Sequence, residues 1–87
     1  IVVNQAPSPN EGEKTYRTLL KACENFLRLS PSLAGMVSMD PKVKDSIRHQ
    51  TPILIRSPHS DAAMNVTKIA EVVVQQLAEA NRKVATA

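Results

Sequence analysis

The sequence predicts an α/β fold, with two or three strands and three helices arranged around a mostly parallel sheet. Three observations carry this. Apolar runs at the start and in the middle of the chain lack alternation, as strands covered on both faces do. Other apolar residues recur at helical spacing. The resulting order (strand, helix, strand, short helix, extended segment, helix) is the rhythm of a parallel sheet flanked by helices.

Residues 1–4, Ile-Val-Val-Asn, read as the end of a strand buried on both faces, since β-branched residues suit a pleated, packed surface. Gln5 to Gly12, with Pro7 and Pro9, reads as a loop, and Asn10 as the cap of the helix that follows. In that helix Tyr16, Leu19, Leu20, Cys23, Phe26 and Leu27 form one stripe, opposed by Lys14, Arg17, Lys21 and Glu24. It should stop near Ser30-Pro31, because the residue before proline is pushed out of helical geometry.

Leu33 to Val37 is a short apolar run that reads as a second buried strand. Asp40-Pro41 supplies a helix cap and a proline at the first helical position. Val43 and Ile47 then share one face of a short helix ended by Thr51-Pro52. Ile53 to Ile55 is expected to be extended, as an edge strand. Ser60 or Asp61 caps the last helix, whose stripe is Val66, Ile69, Ala70, Val73, Leu77 and Ala80, with Lys68, Gln75, Glu79 and Arg82 facing out. Residues 83–87 are expected to fray.

At 87 residues the chain supports one small core, since a chain of this size hides only roughly 60% of the surface it exposes when unfolded. It starts at Ile1 on an apolar run, as if inside an element, and two or three strands that want neighbours are few for such a sheet. We therefore expect residues 1–87 to be a single partial domain from a longer protein, with its first strand prone to self-association for lack of a pairing neighbour.

Composition removes several functions. The net charge of +3 is spread over eleven basic and eight acidic residues without a basic block, which argues against direct nucleic-acid binding. Tyr16 and Phe26 are the only aromatics, too few for base-stacking platforms. The lone Cys23 excludes an internal disulfide and fits a reducing cytosol. No apolar run approaches the roughly 18 residues of a membrane span.

Taken in order, the motifs resemble a known family. They are Ile1-Val2-Val3-Asn4-Gln5, a helix, Leu33-Ala34-Gly35-Met36-Val37-Ser38-Met39-Asp40, a short helix, and Pro52 and Pro58 ahead of a closing helix. This series is similar to the C-terminal part of MinD/ParA-family P-loop ATPases, a family that includes the nitrogenase iron protein. Within the family the likeness is greatest to MinD-like regulators of flagellar number. It rests there on Val3-Asn4-Gln5-Ala6, on Asn25-Phe26-Leu27, and on Ser46 to Gln50 ahead of Thr51-Pro52. The resemblance covers nearly the whole chain and lies in order and spacing rather than in any single motif.

The resemblance implies a C-terminal fragment of a mostly parallel-sheet P-loop NTPase fold. It also implies a base-binding set of Asn4, Gln5, Val37, Ser38, Met39 and Asp40, in which Asn4 hydrogen-bonds adenine and the 37–40 segment packs on the other side. Elementary chemistry agrees: ligands of open α/β sheets bind outside the carboxyl ends of strands, and an Asn amide offers both donors and an acceptor. The family's usual proline is replaced by Ser38, which leaves that loop freer. Implied cofactors are ATP or ADP, with Mg²⁺ in the intact protein but not on this fragment. Implied partners are the adenine nucleotide, a second copy in a nucleotide-dependent dimer, and a flagellar assembly component or signal-recognition-type GTPase. The implied location is cytoplasmic, with contact at the inner membrane face a further expectation.

No Gly-x-x-x-x-Gly-Lys-Ser/Thr is present, and Gly12 and Gly35 are the only glycines, so this piece alone cannot catalyse phosphoryl transfer. Plainer readings stand beside the sharp ones. Asn4 also suits a turn, and Asp40 is first of all a helix cap. His49 and His59 have no metal-ligand spacing. Cys23 sits on an apolar stripe, where a small buried hydrophobe is the default. Ser57 and Ser60 near His59 lack the acid and oxyanion loop of a triad. The last helix is Val/Ala-rich with a mixed outer face, which suits packing on a sheet better than lying in a membrane surface. Three alternatives stay open: a non-enzymatic interaction module, a DNA-partitioning ParA-type or septum-site MinD-type ATPase, and a degenerate relative that binds nucleotide poorly.

Overall fold

The computed structural model describes residues 1–86, with side chains through Lys83. Two strands and four helices follow in the order β1 (Val2–Ala6), α1 (Pro9–Leu27), β2 (Gly35–Ser38), α2 (Pro41–Arg48), α3 (Ile53–Arg56) and α4 (Asp61–Thr86). The strands pair in parallel, Val2 with Gly35, Val3 with Met36 and Ala6 with Ser38. This is a mixed α/β unit, consistent with a piece of a P-loop NTPase fold.

β1 is covered on one face rather than two. Val3 and Ala6 are buried against α1's side while Val2 is half exposed, because on the other face α4 packs over β2 and leaves β1 largely uncovered. The loop expected from Gln5 to Gly12 is shorter. α1 starts at Pro9, and its cap is Ser8, not Asn10: Ser8 Oγ accepts from the Glu11 amide at 3.2 Å, and Pro9 occupies the first turn, where a missing N–H costs nothing. α1 ends at Leu27, ahead of Ser30-Pro31. Arg28 turns left-handed (φ 52°) and its N–H reaches the Cys23 carbonyl, closing the helix one turn before the proline can act.

Gly12 explains how α1 lies so close to the sheet. A Cβ there would collide with Met36 Sδ and come within 3.3 Å of the Ala6 Cβ. The return from α1 to β2 is pinned by the Tyr16 hydroxyl, which donates to the Pro31 carbonyl at 2.8 Å. β2 then runs over Gly35–Ser38, two residues later than its apolar run begins.

α2 has the cap and proline its sequence calls for, with Asp40 Oδ1 accepting from the Lys42 amide at 2.9 Å. The edge strand expected over Ile53 to Ile55 is absent; the segment is one helical turn. Pro52 sets its geometry, and the amides of Ile55 and Arg56 bond back to the Pro52 carbonyl at 3.0 Å. Arg56 Nε donates to Asp45 Oδ2 at 2.6 Å, which ties the turn to α2 instead of to a strand.

α4 begins at Asp61, and Ser60 Oγ accepts from the Ala63 amide at 3.3 Å. Its buried positions are Ala62 and Ala63, with Val66, Ile69 and Val72 half-buried. The rest of the expected stripe, Ala70, Val73, Leu77 and Ala80, is exposed, because the small sheet gives out beneath the second half of the helix. Against the fraying expected over 83–87, the backbone is helical from 83 to Thr86; Ala87 lies outside the described residues. No helix among the described residues is long and apolar enough to cross a membrane.

A candidate base-binding cleft at the strand tips

A small cleft of about 170 Å³ opens at the carboxyl ends of the two strands. Asn4, Gln5, Ser38, Met39, Asp40, Val43 and Lys44 line it. The structure therefore brings Asn4, Gln5, Ser38, Met39 and Asp40 to one place. Val37, half-buried within β2, is not part of the lining. A larger cleft of about 430 Å³ lies between the start of α1, β2 and α4. We place the candidate site in the smaller one because strand tips are where parallel sheets bind ligands. A volume this far below the roughly 300–1,000 Å³ of whole-ligand pockets suits a fragment such as a base.

On the β1 side the cleft is shaped by a bulge. The register slips between Val3 and Ala6, placing an extra residue in β1 opposite β2. Gln5 takes up the slack with left-handed backbone (φ 54°), and Asn4 Oδ1 accepts from the Gln5 amide at 2.9 Å. Bulges re-aim side chains beside functional sites, and this one turns both Asn4 and Gln5 toward the cleft. The Asn4 oxygen keeps a second lone pair, and its NH₂ group is still available for a ligand.

On the β2 side two side chains hold the loop. Asn65, from α4, accepts the Ser38 amide on its Oδ1 at 3.0 Å. The loop is thus anchored, not freed, by having Ser at 38, since a proline there would have no N–H to give. The Met39 amide returns to the Ala6 carbonyl at 2.9 Å, closing the two strand tips on each other. Asp40 carries more than the single cap its sequence suggests. Oδ1 serves α2 through Lys42, and Oδ2 accepts from the Ala62 amide of α4 at 3.0 Å. The Ala62 and Lys42 amides hold the Asp40 carboxyl below its ordinary value, because they bond to the charged form. With both oxygens so engaged, Asp40 positions the loop.

Asn65, Val43 and Lys44 are the site residues that sequence reasoning missed. Val43 was legible only as a helix face, and nothing local in the sequence shows that α2 tips its first turn over the cleft.

Elsewhere the chemistry is structural. Arg56 sits between Asp45 and His49; its Nη2 lies 3.2 Å from His49 Nε2, while His49 Nδ1 lies 2.9 Å from the Asp45 carbonyl. Guanidinium can only donate, so Nε2 accepts and Nδ1 carries the hydrogen. Arg56 likewise lowers the Asp45 carboxyl, chiefly through its hydrogen bond. Ser60 donates to the Ser57 carbonyl at 2.8 Å. Among the described residues no cluster of three metal-ligating side chains occurs.

The fold and cleft define a small α/β unit with a ligand-sized opening at its strand tips, and no protein-family model matches the chain. Over 73 residues it is 26% identical to the antiactivator FleN of Pseudomonas aeruginosa. The match takes in 84% of this chain and 26% of FleN, so the chain spans about a quarter of that relative's length. The similarity supports a distant MinD/ParA-like relationship.

Proposed function

We propose that this chain is the base-recognition part of a MinD/ParA-like ATPase, and that the intact protein is an ATP-dependent dimer switch acting on flagellar number or placement. The observation that carries the reading is the convergence of Asn4, Gln5, Ser38, Met39 and Asp40 on one cleft at the strand tips. The distant likeness to FleN supports the choice of family. The flagellar role follows from the motif resemblance. In this reading Asn4 pairs with the adenine edge through its NH₂ and remaining lone pair, while the Ser38-Met39 segment packs on the opposite side. The phosphates and Mg²⁺ are held by a loop outside these residues, and dimerisation depends on that loop as well.

Titration with adenosine and with guanosine, followed by amide NMR shifts, tests the base site. The wild type should favour adenosine, with shifts centred on Gln5 and Met39. Asn4→Ala should lose most of the preference, about 1 kcal/mol for one hydrogen-bonded group. Equal binding of both nucleosides by the wild type would return the chain to the non-enzymatic interaction module. An altered flagellar count on deletion of the gene tests the cellular role.

A further inference from the structure

We infer that Lys44 is a base-binding residue of this cleft, its ammonium lying over the face of the bound purine. The inference rests on the base-site reading above. Lys44 belongs to the first turn of α2 and forms the α2 wall of the cleft together with Val43. It is exposed, and among the described residues no ion pair or side-chain hydrogen bond engages its ammonium. Asp40 is the single carboxylate in the lining, and both its oxygens already serve the Lys42 and Ala62 amides. The cleft therefore presents a cation with no partner beside it, on a side chain whose apolar stem can lie along a ring while the charge stays at the wet rim. The opposite, β1 side is neutral, built from the Asn4 and Gln5 amides. Asn4 reads the edge of a base, and the face is left to Lys44. A flat, electron-rich ring such as a purine fits this pairing, with its edge on the Asn4 amide and its face under the Lys44 ammonium.

The test is adenosine titration of the 87-residue chain by amide NMR shifts, comparing wild type with Lys44→Met, Lys44→Ala and Lys44→Arg. Adenosine has no phosphate, so a charge effect cannot come from one. A cation over an exposed ring is worth about a two- to fivefold change in affinity. Met and Ala should each weaken binding by that factor, Arg should keep it, and all four proteins should melt alike because Lys44 is exposed. Wild-type affinity in Lys44→Met, or a loss in Lys44→Arg equal to that in Lys44→Met, overturns the inference while leaving the base site standing. Absence of adenosine shifts in the wild type itself instead removes the base-site reading on which it rests.

Discussion

Two residues at the cleft carry conformational and electrostatic consequences that can be measured without a ligand. Gln5 holds a left-handed backbone in which a Cβ costs about 1–2 kcal/mol. Replacing it with glycine, normally unfavourable in a strand, should here raise stability by about 1 kcal/mol, read as a shift in the urea midpoint with unchanged slope. Asp40 has its carboxyl lowered by the Ala62 and Lys42 amides, so the charged form is the one folding favours. Its contribution is complete above the ordinary value of 3.8 and fades as pH falls through the lower value of the folded state. Asp40→Asn should therefore melt below the wild type at neutral pH, with the gap narrowing as the solution is acidified past that point. A gap that is constant with pH would mean the charge of Asp40 plays no part.

At the scale of elements, packing depends on two glycines that let helices approach the sheet. A methyl group on Gly35 would stand 2.5 Å from Cγ1 of Ile69 in α4, too near the α4 backbone for the side chain simply to swing aside. Gly35→Ala should cost about 1–3 kcal/mol, as overpacked sites do. Part of that cost should vanish in an Ile69→Ala background, and strict additivity in the double-mutant cycle would show that the two do not touch.

The elements also show which parts of the structure were legible in the sequence. The α2 start was readable because a cap and a proline act on their own neighbours, and the two strand tips because order and spacing fixed them. Ile53 to Ile55 was not. Its residues favour extended backbone, but a strand needs a neighbour to bond, and Pro52 with the Asp45–Arg56 pair offered a helical turn instead. The α4 stripe declared a helix correctly without showing how little of it the sheet would cover. Asn65 was illegible for the same reason: its partner, the Ser38 amide, lies 27 positions away along the chain.

For the molecule as a whole, a two-stranded parallel sheet leaves the outer edge of β1 unpaired, and exposed edges recruit other strands. The chain should associate as concentration rises, visible as growth in mass by light scattering; a constant monomer mass across the range would contradict this.

The crossover that joins the strands also gives the protein its own reporter. Tyr16 is the one tyrosine in a chain with no tryptophan, and its phenol is fixed on the Pro31 carbonyl. Tyrosine emission from the unmodified protein therefore comes from a single ring at the point where α1 hands the chain back to β2. When that connection lets go, the light changes, and no dye or label has to be added to see it.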